Sequence, residues 1–146
     1  MNRLFIDANI LLDALLQREE NATDAIELLA LGAQRKVRLL TTAISVGVVL
    51  YQLQRSDADK KGIRLKSAQL ILTELLLCVE LVSVEAEHFL QSISSTFGDL
   101  EDGAQYFAVS SVGKLHGVVS RAPDFDGHIG VKRLSAKQAL QLIKKK

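Results

Sequence analysis

Short apolar runs alternate along this chain with longer segments of helical periodicity, and this alternation restricts the fold more than any other feature. Five runs have the composition of strands: Leu4–Ile6, Val37–Thr41, Val79–Val84, Val118–Ser120 and Val131–Leu134. Seven helical segments lie between and after them: 8–16, 21–31, 43–54, 66–77, 85–92, 101–114 and 136–143. Alternation of this kind is typical of strand–helix–strand units, which build a parallel sheet. The sequence therefore predicts an α/β fold with five parallel strands.

The local signals refine this prediction. The first, third and fourth runs are apolar on both faces, as inner strands of parallel sheets are. Asn21 and Ser135 each precede an acid or amide by three residues, the spacing of a capping box, and predict two helix starts. The polar segment 55–62 is predicted to be a loop or the start of a helix.

Length and composition narrow the class of protein. A chain of 146 residues with 48% hydrophobic residues is expected to form a single domain, residues 1–146. Cys78 is the only cysteine, which excludes an intramolecular disulfide and a zinc knuckle. Asp7 interrupts the N-terminal apolar run too early for a secretory signal, and the window 70–84 is too short for a membrane span. We expect a cytoplasmic protein with no membrane contact.

Acidic residues follow the predicted strands where a parallel sheet binds its ligands. Asp7 comes directly after the first strand, and Asp124 follows the fourth. Asp99, Glu101 and Asp102 come at the head of the sixth helical segment. Because ligands of open α/β sheets bind outside the carboxyl ends of the strands, acids from three separate segments are expected to converge at this edge.

Each of these acids also has an ordinary explanation as a helix cap or a turn residue. Taken together they repel one another, which favours a cation among them. An oxygen-only ligand set selects Mg²⁺ or Mn²⁺. Such an ion activates water for attack on a phosphodiester, so the constellation indicates hydrolysis of RNA or DNA.

The three motifs that carry these acids resemble those of the PIN domain family, small metal-dependent ribonucleases that include VapC-like toxins. The stretches are FIDANILLDALLQRE, DLEDGAQYFAV and VVSRAPDF, and the resemblance extends over nearly the whole chain. The resemblance implies a PIN-like three-layer sandwich with the five-stranded parallel sheet between helices. It implies that Asp7, Asp102 and Asp124 are catalytic acids, and that these three and Asp99 bind Mg²⁺ or Mn²⁺. Asn9 lies beside the first acid in the same motif.

Further residues are expected around the metal or on the substrate side. Thr42 and Ser45 lie past the end of the second strand, where a hydroxyl can orient a metal-bound water or simply cap a helix. Glu101 projects from a different helix face than Asp102 and is expected outside the direct ligand set. Ser120 stands where the family commonly has Thr. Arg121 is placed to meet a phosphate or to pair with a carboxylate.

One departure from the family pattern divides the functional expectations. Val48 stands on the helix after the second strand, where family nucleases usually carry a Glu. The leading hypothesis is a Mg²⁺- or Mn²⁺-dependent endoribonuclease, with the toxin of a toxin–antitoxin pair as one form of it. The alternative is a catalytically silent PIN domain that binds RNA or a protein. A phosphoacceptor domain ranks below both. A haloacid-dehalogenase-like domain would need a second Asp where Asn9 stands, and a receiver-like domain would need an acid pair close after the first strand, which LFIDAN lacks.

The partners expected from the resemblance are RNA, an antitoxin protein and a second copy of the chain. Apolar residues of the first and third helical segments are candidates for the surface that pairs two copies: Tyr51, Leu53, Leu12, Leu15 and Leu16.

Overall fold

A five-stranded parallel sheet organises the protein. The computed structural model describes residues 1–55, 61–127 and 131–145. Within them the strands are β1 (Arg3–Ile6), β2 (Arg38–Thr42), β3 (Glu80–Val82), β4 (Gly117–Val119) and β5 (Arg133–Leu134). Their order across the sheet is β3-β2-β1-β4-β5, and each neighbouring pair is parallel. The α/β prediction with five parallel strands is confirmed.

Seven α-helices flank the sheet in the described part of the chain. They are α1 (Ala8–Leu15), α2 (Glu19–Ala33), α3 (Ala43–Arg55), α4 (Lys61–Cys78), α5 (Ala86–Ile93), α6 (Leu100–Ser111) and α7 (Ala136–Lys144). A short 3-10 helix, Pro123–Phe125, follows β4. Each predicted helical segment corresponds to one of the α-helices, although several ends differ: α4 begins before residue 66, and α6 ends before residue 114.

The sheet separates two apolar clusters, as a three-layer sandwich requires. Leu4 and Ile6 of β1 belong to one cluster with side chains of α1, α2, α3, α4 and α7. Phe5, which points to the opposite face, belongs to the other cluster with side chains of β4 and α6. Since successive residues of a strand alternate between faces, β1 contributes side chains to both halves of the core, as β2 and β4 also do.

The third run was predicted to be an inner strand, buried on both faces, and this prediction was wrong. β3 is an edge strand that pairs with β2 on one side, and Leu81 is 48% exposed. The inner positions belong to β2, β1 and β4, which are buried over most of their lengths. An apolar strand pattern reports local character but does not encode strand order, which tertiary packing decides.

The helix starts gave one confirmed and one wrong prediction. Ser135 is the N-cap of α7 and forms a capping box with Gln138. Asn21 lies inside α2, which begins at Glu19 after an Arg18 N-cap that makes no side-chain hydrogen bond. In the polar segment 55–62, Arg55 ends α3 and Lys61 begins α4, and the residues between, 56–60, lie outside the described residues.

Most of the apolar surface predicted for pairing two copies is in the core. Leu12 and Leu53 are buried, and Leu15 and Leu16 pack against the same cluster. Tyr51 is exposed and contacts Arg55 through its ring and its hydroxyl. Among the described helices, none is long and apolar enough to cross a membrane.

Candidate metal centre

Asp7 is held at the junction of β1 and α1. It is the extended N-cap residue of α1, and its backbone N–H donates to the carbonyl of Val119 at 3.0 Å. Its Oδ1 accepts a hydrogen bond from the N–H of Ala8 at 2.8 Å, and its Oδ2 accepts one from Oγ of Ser120 at 2.6 Å. The side chain is fixed where the carboxyl ends of β1 and β4 meet, which is the edge at which open α/β sheets bind their ligands.

Burial governs the acidity of Asp7. Only 6% of the residue is exposed, and this loss of solvent raises its pKa. The hydrogen bonds from Ser120 and Ala8 act in the opposite direction, while the charge of Asp99 adds to the rise. A buried carboxylate with a neighbouring like charge favours a cation nearby.

Three further acids converge beside it. Asp99 is the N-cap of α6, Asp102 lies in the first turn of that helix, and Asp124 belongs to the 3-10 helix after β4. One carboxylate oxygen from each of these three lies within 4.8 Å of the others. The structure thus brings together three of the four acids proposed as metal ligands, with Asp7 close enough to raise the pKa of Asp102.

Asp102 is the most perturbed acid of this group. Its pKa is raised to about 7, first by burial and then by the charges of Asp7, Asp99, Asp124 and Glu101, in that order. The donors are carboxylate oxygens, which hard divalent cations prefer, so the residues present fit Mg²⁺ or Mn²⁺. A cation bound here would offset the repulsion that raises this pKa.

An aromatic contact joins the two segments that carry these acids. Phe97 precedes Asp99 by two residues, and Phe125 directly follows Asp124. Their rings pack edge to face with centroids 5.9 Å apart, and Phe125 packs in the same way on Phe5 of β1 at 5.8 Å. Since both phenylalanines are buried, the backbone around each acid is fixed to the sheet.

Helix α3 contributes no carboxylate to the group. Val48, at the position of the usual Glu, is 36% exposed and has no ligand oxygen. The hydroxyls of Thr42 and Ser45, both fully buried, each donate to Oε1 of Gln105 at 2.6 Å. Oγ1 of Thr42 also accepts a hydrogen bond from the N–H of Ser45 at 3.5 Å, so Thr42 caps α3 as well.

Gln105 is a residue that the sequence interpretation missed. It lies on α6 three residues after Asp102, on the same side of the helix, and is buried. By accepting two hydroxyl donors from the β2–α3 junction, it fixes the start of α6 relative to α3. A polar side chain within the apolar run GAQYFAV was the available signal.

Ser120 and Asn9 surround Asp7. Besides donating to Asp7, the fully buried Oγ of Ser120 accepts the N–H of Ala122 at 2.9 Å. Asn9 donates from Nδ2 to Asp7 Oδ2 at 3.2 Å, and its Oδ1 accepts the N–H of Arg121 at 3.3 Å. These contacts connect α1 to the chain after β4 through polar groups alone.

The side chain of Arg121 pairs with a carboxylate that the sequence interpretation did not select. Its Nη2 donates to Oδ1 of Asp13 at 2.9 Å, and Asp13 is fully buried in α1. An acid inside the apolar helical run ILLDALL was the available signal. Glu101 is exposed and outside the group of three carboxylates, and its charge is the last of those that raise the pKa of Asp102.

The family comparison agrees with this arrangement. The PIN domain family model matches residues 3–121, which run from β1 past the end of β4 and include Asp7, Asp99 and Asp102. Asp124 lies just beyond the matched residues. A comparison with curated proteins gave no significant match. Because the family model covers most of the chain and the sheet carries the acids at one edge, the chain belongs to the PIN domain family.

Proposed function

We propose that this PIN domain is a metal-dependent endoribonuclease that hydrolyses RNA phosphodiesters. The PIN domain is a nuclease fold whose members are usually metal-dependent. The observation that carries the proposal is the convergence of Asp99, Asp102 and Asp124 within 4.8 Å, with the pKa of Asp102 raised to about 7. A helix start without a ligand would not need carboxylates from two separate segments so close together.

Asp99, Asp102 and Asp124 would hold the ion, and Asp7 would add a fourth carboxylate. A bound Mg²⁺ or Mn²⁺ supplies an activated water and stabilises the charge that develops on the phosphate. The protein's own residues orient these acids. Ser120 and Ala8 hold the Asp7 carboxylate in one orientation, and the N–H of Asp102 holds Asp99.

The direct test is calorimetric titration of Mn²⁺ into metal-free protein. We expect one site in the wild type and at least tenfold weaker binding in Asp102→Asn and Asp99→Asn. Glu101→Gln is the matched control, because it removes a neighbouring negative charge outside the group of three carboxylates. Equal affinities in all four proteins, or no binding at millimolar Mn²⁺, would contradict the proposed metal site.

Cleavage of RNA is tested separately. A fluorophore–quencher RNA of mixed sequence should be cut in Mn²⁺, and the cutting should stop with EDTA and in Asp102→Asn. DNA of the same sequence serves as the comparison for substrate class. In this proposal the protein acts in the cytoplasm, where RNA is available.

A second candidate function is a silent PIN domain that binds RNA or a protein without cleaving it. The observation that favours it is Val48, which leaves α3 without an acid. Mn²⁺ binding without cleavage of any RNA tested would support this function over the nuclease.

The toxin role is a narrower form of the nuclease proposal. It predicts that induced expression in a bacterial host arrests growth, that Asp102→Asn removes the arrest, and that a co-expressed antitoxin protein relieves it.

A homodimer is part of the same proposal. Light scattering of the purified protein measures it directly.

A further inference from the structure

Arg121 is a half-exposed cation whose position is determined by a buried acid. Its side chain is 46% exposed, whereas the side chain of Asp13 is 0% exposed. One guanidinium nitrogen, Nη2, donates to Asp13 Oδ1 at 2.9 Å. The other nitrogens of the fork make no hydrogen bond to the described residues. An arginine held at one edge in this way can present its remaining donors to a second group.

The buried carboxylate of Asp13 is only partly satisfied by hydrogen bonds. Its Oδ2 is buried and has no hydrogen-bond partner among the described residues. Arg18, at 3.9 Å from Oδ1, is a second and longer ion pair. Burying a carboxylate costs desolvation free energy, and a hydrophobic residue of similar volume at this position of α1 would avoid that loss of stability. This cost is explained if Asp13 serves to fix the direction of the Arg121 side chain.

The location of Arg121 relates it to the acids. It directly follows Ser120, which donates to Asp7, and its backbone N–H donates to Asn9. The charge of Arg121 reaches Asp7, whose pKa it lowers, but it is not among the charges that act on Asp102. Through Ser120 and Asn9, Arg121 is therefore linked to the Asp7 side of the acid group.

A polyanion that approaches this edge meets five acids: Asp7, Asp99, Glu101, Asp102 and Asp124. A metal ion held by Asp99, Asp102 and Asp124 would neutralise charge at the scissile phosphate, and the phosphates next to it would need a cation from the protein. A fixed guanidinium beside the acids matches the bidentate geometry of a phosphate.

We propose that Arg121 binds a backbone phosphate of RNA next to the scissile one, and that Asp13 is the positioning residue that holds its guanidinium there. This inference rests on the proposed nuclease function and names the substrate contact of the same site. It assigns Arg121 to binding and leaves the chemical step to the carboxylates.

The experiment measures binding of a fluorescein-labelled single-stranded RNA of mixed sequence by anisotropy, with Ca²⁺ present, over a series of salt concentrations. We expect Arg121→Gln to weaken binding about tenfold, since it removes a charge-assisted hydrogen bond. The slope of log affinity against log salt should fall by about 0.7, the share of one phosphate contact on a single strand. Arg121→Lys should restore most of the slope because it keeps the charge.

Asp13→Asn separates positioning from charge. It keeps the Arg121 cation, so we expect weaker binding with an unchanged salt slope, and a higher KM with kcat nearly unchanged in the cleavage assay. Arg35→Gln is the matched control for net charge, because Arg35 is exposed and precedes β2. It therefore lies at the amino ends of the strands, away from the acids at the carboxyl ends. If the ion pair were merely structural, Asp13→Asn would lower the melting temperature and leave the RNA affinity and the KM unchanged.

The outcomes distinguish this proposal from the nuclease proposal. If Arg121→Gln and Arg35→Gln bind RNA alike, the phosphate contact is wrong even when the wild type cleaves RNA. If the wild type binds RNA without cleaving it, and Arg121→Gln shows the predicted fall in salt slope, the contact stands and the nuclease proposal fails. If the wild type neither binds nor cleaves RNA, both proposals are overturned, and a protein partner for Arg121 becomes the remaining explanation.

Discussion

Oδ1 of Asp99 accepts a hydrogen bond from the backbone N–H of Asp102 at 3.0 Å, so the N-cap of α6 and the acid whose pKa is raised to about 7 are joined directly. The Asp99 carboxylate thus has two roles: it caps the helix, and it contributes charge to the proposed metal centre. These duties can be separated by substitution, because Asn caps a helix about as well as Asp does.

Asp99→Asn should therefore weaken Mn²⁺ binding at least tenfold while the melting temperature of the metal-free protein is kept or raised. The amide retains the cap and removes a like charge beside Asp102. Asp99→Ala should lose the cap as well, which destabilises the protein by about 1 kcal/mol. Calorimetric titration and thermal unfolding measure the two effects. Equal Mn²⁺ affinity in Asp99→Asn and the wild type would show that Asp99 serves as a cap alone.

The raised pKa of Asp102 predicts an unusual pH dependence of stability. The folded protein holds a proton on Asp102 up to about pH 7, whereas the unfolded chain releases it near the ordinary value of 3.8. The folded state binds more protons between these values, so the stability of metal-free protein should fall as pH rises from about 4 to about 7.

The measurement is thermal unfolding of metal-free wild type and Asp102→Asn between pH 5 and pH 8. We expect the melting temperature of the variant, relative to the wild type, to rise by a few degrees over this range. Asp102→Asn isolates this residue because other titrating groups contribute alike to both proteins. A constant difference across the range would mean that the pKa of Asp102 is close to its ordinary value.

Substitution of Ser120 should reduce stability, because its buried hydroxyl pairs with Asp7 and Ala122. Ser120→Ala removes the donor to Asp7 and leaves the N–H of Ala122 without its acceptor. Loss of a buried hydrogen-bond partner destabilises a protein by about 1 to 3 kcal/mol. Ser120→Thr keeps the hydroxyl and serves as the control, with a smaller loss from its extra methyl group in a fully buried site. Urea unfolding measures both, and equal losses would assign the effect to packing.

Val48→Glu should strengthen metal binding if α3 of this protein faces the centre as in the family pattern. Val48 is 36% exposed, so a longer charged side chain fits without entering the core. We expect tighter Mn²⁺ binding by calorimetry and faster RNA cleavage in Val48→Glu, with Val48→Gln as the uncharged control. Unchanged affinity in both variants would show that position 48 does not contribute to the metal centre.

Much of the fold could be read from the sequence because local pattern and tertiary structure agree. The alternation of apolar runs and helical segments predicted the seven helices and five strands that the described residues contain. The convergence of the acids was also predictable, since Asp7 and Asp124 follow strands whose carboxyl ends meet at one edge. Their role as metal ligands stays a prediction.

Other features depend on contacts between distant segments, which no local pattern encodes. β3 has the composition of an inner strand but lies at the edge of the sheet. Gln105 meets Thr42 and Ser45 across about sixty residues of chain, and Asp13 meets Arg121 across more than a hundred. Asn21 has the sequence of a helix cap, yet α2 begins two residues earlier.

The position of β3 also affects how copies of this protein behave at high concentration. An unpaired strand edge can template the addition of strands from other molecules, which leads to aggregation. Here the edge strand has only three residues, and its first residue, Glu80, forms an exposed ion pair with Arg38 at 2.7 Å. A short edge that begins with fixed charges is a poor template for the addition of strands from other molecules.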